Sequence, residues 1–189
     1  MYEKKDFTHL LGTEGFSDEL LQDHFKLYEG YVANTNKLME KGYDMESGTP
    51  EYAELKRRFG WEWDGMRMHE LYFGNLSKDA QNLSEDSELH KKITEQFTSF
   101  EKWAEDFKAT GAMRGIGWVV LAQDGDSGKL FNIWINEHDV GHLIGAKPLI
   151  VMDVFEHAYI RDYGLARADY ISTFMKQINW DMASERFGA

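Results

Sequence analysis

Apolar side chains recur every three to four residues over two long stretches at the front of the chain. In the first, Leu20, His24, Leu27, Tyr31 and Leu38 follow Ser17-Asp18-Glu19, a cap and two early acids, and the spacing predicts a helix from Ser17 to about Met39. Gly30 weakens that helix without breaking it. A turn-rich linker, Lys41 to Pro50, leads to Leu55, Phe59, Met66, His69, Phe73 and Leu76, the apolar face of a second helix with Gly60 and Gly65 near its middle. Two amphipathic helices joined this closely pack as an antiparallel hairpin.

The stretch from Ser84 to about Thr110 is charged, with an Ile93, Phe97, Phe100, Trp103, Phe107 stripe, and reads as one further helix. Beyond it the period changes. GIGWVVLAQ and KLFNIWIN are rich in β-branched and aromatic residues and are separated by DGDSG, a hairpin signature, and PLIVMDVF supplies a third strand. Helical spacing then returns to the end of the chain, with Asp169 and Asp181 in position to cap. The fold class expected is α+β: an N-terminal antiparallel helical hairpin over residues 1–82, then an α/β C-terminal domain over residues 83–189 built on a three-stranded antiparallel sheet.

Charge narrows the functions. Lys plus Arg number 21 against 33 Asp plus Glu, a net −12, which is the wrong sign for a nucleic-acid binder. No window approaches the ~18 continuous apolar residues of a membrane span and the N-terminus lacks a signal-peptide core, so the expected location is the cytoplasm, away from membranes. With no Cys, any metal must be held by nitrogen and oxygen.

Seven histidines are candidates for that chemistry: His9, His24, His69, His90, His138, His142 and His157. His24 and His69 lie on the apolar faces of helices expected to face each other, where either a hydrogen-bonded core histidine or a ligand would fit. Asp153 ends an apolar strand, where a carboxylate must cap the next helix or meet a counter-charge. His157 follows four residues later, just inside the next helix. Three imidazoles and one carboxylate would suit iron or manganese, with zinc also acceptable. His9, His90 and His142 are expected to be exposed.

Asp153-Val154-Phe155-Glu156-His157-Ala158-Tyr159 closely resembles the D-V-W-E-H-A-Y motif of the iron/manganese superoxide dismutase family, with Phe155 in place of the usual Trp. The resemblance extends over most of the chain. His24 followed by Tyr31-Val32 and Asn36 is similar to the first-helix motif, His69-Glu70-Leu71-Tyr72-Phe73 to the second-helix ligand segment, Gly115-Ile116-Gly117-Trp118 to G-S-G-W, and Asn179-Trp180 to a closing N-W. Tyr163 to Tyr170, which contains Arg167, also resembles a stretch near the family's site. The resemblance implies that His24, His69, Asp153 and His157 ligate one iron or manganese ion per subunit, with a solvent molecule as fifth ligand, iron preferred and dual use open. It implies superoxide as substrate, Tyr31 and His138 as the catalytic groups orienting that solvent, Trp118 and Tyr72 as pocket walls, and a homodimer in which Glu156 binds the partner's liganding His157.

The sequence departs from the family pattern in three places. His24 and Tyr31 are seven apart where eight is usual, so an unbulged α-helix keeps both on one face, and Leu27 and Tyr28 occupy the stretch of the family's gateway His. Ile160 replaces a frequent second Tyr. Gly65 stands at the helix position of the iron-type glutamine, and His138 aligns with the sheet position of the manganese-type one; a shift of one residue would put Glu137 there instead. Two other readings accompany the dismutase: a dismutase-like metal-binding protein with little turnover, and a non-haem Fe(II) oxygenase needing only two His and one carboxylate.

Overall fold

The computed structural model describes all 189 residues, Met1–Ala189. The hairpin consists of α1 (Asp18–Asp44) and α2 (Pro50–Gly74). Ser17 opens α1 by accepting from the Leu20 N–H, and Thr49 opens α2 by accepting from Tyr52, with Pro50 at the first helical position, where its missing N–H costs nothing. The first helix runs past the expected Met39, which shrinks the linker to residues 45–49, while the second ends before Leu76, expected on its apolar face. The buried face of α1 is Leu20, Leu21, His24, Tyr28, Val32 and Thr35. Leu27, expected on that face, is 38% exposed, because the core-facing line follows the i, i+4 step from His24 to Tyr28. No π-turn interrupts α1.

The charged stretch after the hairpin is two helices, not one: α3 (Glu88–Phe97) and α4 (Phe100–Gly111). Thr98 adopts φ +75°, which ends α3, and the Ser99 hydroxyl then accepts from Lys102 N–H to start α4. The sheet follows as β1 (Gly117–Asp124), β2 (Leu130–Asn136) and β3 (Ala146–Asp153), in the antiparallel order β2-β1-β3. Trp118 lies opposite both Ile135 and Asp153. A register shift between Leu121 and Ala122 lets Pro148 sit in an edge strand without a missing donor. The chain closes with a single 3₁₀ turn (Glu156–Ala158), α5 (Ile160–Tyr163), α6 (Arg167–Lys176) and α7 (Trp180–Gly188). His157 therefore stands in a tight turn, not in a longer helix. Asp169 and Asp181 are not the caps. Asn179 caps α7 by accepting from Met182, and both aspartates fall in the first turn, where the helix dipole favours a carboxylate.

One cluster of 36 buried apolar residues fills the space between hairpin, sheet and closing helices. Asn75, fully buried at the end of α2, joins them: its amide donates to Leu149 O (3.2 Å) and accepts from Val151 N–H (2.8 Å) and Arg186 Nη1 (2.8 Å). Arg186 also donates to Leu149 O and to Leu71 O, capping α2, and burial pushes its guanidinium down to about 10. The segment just past His69 is thereby fixed to the segment just before Asp153. No helix is long and apolar enough to cross a membrane.

Candidate metal centre

Four side chains from three parts of the fold converge. His24 comes from α1, His69 from α2, Asp153 from the end of β3 and His157 from the turn after it, and one ligand atom from each lies within 4.8 Å of the others. Asp153 Oδ2 stands 3.1 Å from His24 Nε2, 3.0 Å from His157 Nε2 and 3.7 Å from His69 Nε2. Donors held ~2.1 Å from a common ion are ~3.0 Å apart at right angles and ~3.6 Å apart at 120°. The observed spacings match the edges of one coordination shell.

His24 Nε2 and His157 Nε2 lie within hydrogen-bond distance of Asp153 Oδ2, whereas the inward nitrogen of His69 is left bare. His69 Nδ1 donates to the Gly65 carbonyl (2.6 Å), which puts the proton on that nitrogen, and His69 Nε2 is buried with no partner at all. A bare imidazole lone pair facing a carboxylate oxygen 3.7 Å away is two acceptors confronting each other, an arrangement that a cation between them relieves. Asp153 is oriented from every side: Oδ1 accepts from Phe155 N–H (2.8 Å) and its carbonyl from the Tyr170 hydroxyl (2.6 Å). Burial keeps His24 and His69 below the ordinary histidine range, hence neutral and ready to bind. Burial alone would raise Asp153, but the adjoining His157 and His24 hold it well below the usual carboxylate range.

Above the four lie the groups expected to work beside them. Tyr31 stacks on His69 with ring centroids 5.1 Å apart, and its Oη is 2.7 Å from His138 Nε2. Burial, with the Asp153 and Glu62 charges, pushes the Tyr31 phenol up to about 12. His138 is fully buried, its neighbour Glu137 is not in the site, and burial pushes the imidazole down to about 4. Trp118 packs edge-on to His69 at 5.0 Å and Tyr72 lies 5.2 Å from His24, so both wall the cluster. Phe155, in the usual Trp position, is layered between His138 (4.8 Å) and His157 (5.2 Å). Gly65 has a steric reason as well: a Cβ there would meet the Tyr31 ring at 2.5 Å.

His9 is exposed as expected, whereas His90 is half-buried and stacks on Phe100. His142 lies near the surface, and its Nε2 donates to the His138 carbonyl (2.8 Å), holding the loop that presents His138. Sequence reasoning missed His142 and Asn75 as supports of the site, and named Tyr170 only as the end of a stretch near it. The four-residue spacing of His138 and His142 was a usable signal for the first, while Asn75 acts through backbone groups that no motif advertises.

Residues 85–186 match the family model for the C-terminal domain of iron/manganese superoxide dismutases. A superoxide dismutase [Fe] of Aquifex pyrophilus is 40% identical over 194 aligned residues, covering 98% of this chain and 90% of the relative, and one of Aquifex aeolicus is 38% identical with the same coverage. A superoxide dismutase [Mn] of Haloferax volcanii is 33% identical over 174 residues, covering 90% of this chain and 86% of the relative. Sequence similarity over nearly the whole length, joined to a four-donor nitrogen-and-oxygen cluster in an α+β frame, makes this chain a member of the iron/manganese superoxide dismutase family.

Proposed function

We propose that His24, His69, Asp153 and His157 hold one iron or manganese ion, and that the protein, an oxidoreductase of that family, uses it to disproportionate superoxide to dioxygen and hydrogen peroxide. The observation that carries the ligand assignment is the bare, buried Nε2 of His69 facing Asp153 Oδ2 across 3.7 Å, inside a cluster of the right donor spacing. Bound there, the ion would supply one-electron chemistry between its 3+ and 2+ states, with one superoxide oxidised and another reduced. The protein must do the rest: exclude bulk water, keep three imidazoles neutral and deliver two protons to the reduced product. The 2.7 Å contact between Tyr31 Oη and His138 Nε2 beside the cluster supports a role for this pair in that delivery, with Trp118, Tyr72 and Phe155 as walls. Four protein donors in one cluster speak against the oxygenase, which needs three and open positions.

The proposal includes a division into residues 1–82 and 83–189, each contributing two ligands, and the cytoplasmic location expected from the sequence. It also includes the homodimer through Glu156 and His157. The His157 side chain is 29% exposed, Glu156 beside it is exposed, and Leu27 and Ile160 expose 38% and 48% of their surface. A ligand left partly uncovered beside an exposed Glu156, with exposed apolar residues at Leu27 and Ile160, supports a second copy there. Superoxide decay measured with iron-loaded and manganese-loaded protein tests the activity, and His69→Ala is expected to abolish it; an unchanged rate in that variant overturns the ligand assignment. Sedimentation showing a monomer at micromolar concentration overturns the dimer.

A further inference from the structure

We infer that Trp118 fixes the proton of His138 on Nε2, and thereby leaves the Tyr31 hydroxyl hydrogen as the open end of a one-way chain, Trp118 to His138 to Tyr31, that ends beside the metal ligands. Two distances carry it: Trp118 Nε1 lies 3.1 Å from His138 Nδ1, and Tyr31 Oη lies 2.7 Å from His138 Nε2. An indole N–H can only donate, so His138 Nδ1 must present a lone pair. A proton on Nδ1, in either the other neutral tautomer or the imidazolium, would set two N–H groups against each other at 3.1 Å. A lone pair on both nitrogens would make the ring a buried imidazolate, an anion with no hydrogen-bonded cation. One state survives, the neutral ring protonated on Nε2.

That state sets the direction of the next bond. His138 Nε2–H donates to Tyr31 Oη, the phenol oxygen is the acceptor, and its own hydrogen has no partner in the protein. The ring cannot easily turn away from this arrangement. Phe155 stacks on it at 4.8 Å, Trp61 meets it edge-on at 4.7 Å, and His142 holds its backbone carbonyl at 2.8 Å. Because the imidazole has one N–H and Tyr31 takes it, His138 has none left for an oxygen ligand in the pocket. Tyr31 is therefore the donor that an anion of superoxide's class meets, and Trp118 and His138 are positioning residues acting through it.

The significance for catalysis rests on the dismutase reading, but the test does not. Full-length protein labelled with ¹⁵N-histidine and loaded with zinc, which is diamagnetic, is examined by long-range ¹⁵N–¹H NMR at pH 7, with the His138→Gln spectrum identifying the His138 signals. A pyrrole-type Nε2 and a pyridine-type Nδ1 are expected. Trp118→Phe removes the indole donor, so an Nδ1-protonated population is expected to appear. The phenol can then turn its hydrogen onto the freed Nε2, and azide binding to the iron-loaded variant is expected to weaken several-fold. A protonated Nδ1 in the unaltered protein overturns the inference, whether or not the variant folds. Unchanged nitrogen shifts and azide affinity in folded Trp118→Phe overturn it equally. Loss of superoxide turnover in the unaltered iron-loaded protein would overturn the functional reading instead and leave the tautomer assignment standing.

Discussion

Gly65→Ala sets two opposed effects against each other at the centre of the site. In an exposed helix the change would add about 1 kcal/mol of stability, since alanine is the better helix former. Here the new methyl carbon would lie 2.5 and 2.6 Å from Tyr31 Cδ1 and Cε1, whereas carbon atoms pack at about 3.5–4.0 Å. The Tyr31 ring must then retreat by about 1 Å. A retreat in line with its 2.7 Å contact to His138 Nε2 stretches that bond to about 3.7 Å, past the limit of a useful hydrogen bond. Overpacking costs about 1–3 kcal/mol and an unpaired buried N–H on His138 about 1–3 more, so the net expectation is a loss of about 1–5 kcal/mol. The carbonyl of residue 65 still holds His69 Nδ1, so the metal should remain while turnover falls. Urea unfolding of the metal-free chain measures the first effect and superoxide decay per bound metal the second. A variant that gains about 1 kcal/mol and turns over at the original rate would refute the assignment of this glycine to the seat of Tyr31.

Acid should destabilise the metal-free protein in a defined window. His24 and His69 stay below the ordinary 6.5 and His138 falls to about 4, so as pH drops through 6.5 the unfolded chain takes up protons that the folded one refuses; stability is present above 6.5 and is lost progressively toward 4, with Asp153 adding a further loss once pH falls below the ordinary 3.8. A urea midpoint that does not move between pH 7 and 4.5 contradicts this. Asn75→Ala leaves the buried Val151 N–H without a partner, while Leu149 O and Arg186 keep each other, for an expected cost of about 1–3 kcal/mol together with lowered metal content, read by denaturation and metal analysis; an unchanged stability would deny the residue its joining role. Removing iron or manganese should lower the melting temperature, by about 4 kcal/mol of lost stabilisation where free metal had been 1,000-fold above its dissociation constant. Calorimetry showing identical melting with and without metal would defeat the ligand proposal.

The hairpin, the three strands and the four candidate ligands were legible because each left a local trace: a 3.6-residue period, a run of β-branched residues, or a motif of fixed spacing. Leu27 was misplaced because a face inferred from spacing is only as sharp as one helical step, and the buried line proved to pass through Tyr28. The break at Thr98 was invisible because an uninterrupted apolar stripe crosses it, and only a left-handed backbone shows that the helix has stopped. His138 could be aligned to the site, but its depth could not be read from a polar stretch such as Asn136-Glu137-His138-Asp139. That burial depends on Trp61, Trp118 and Phe155, which approach from three separate parts of the chain.

His24, His69 and Asp153 expose 2%, 0% and 0% of their surface, and they are brought together by three elements distant from one another in the chain. His157, at 29%, is the exposed edge of the cluster, so an ion held by the four would leave past that residue or wait for hairpin and sheet to part, which means opening much of the core they share. With a second copy seated over His157, such a site would behave as a record on the timescale of an intact molecule. The ion in it would be the one at hand when the two halves closed, and the composition of the metal pool at that moment, as much as any preference of the ligands, would be written into each finished copy.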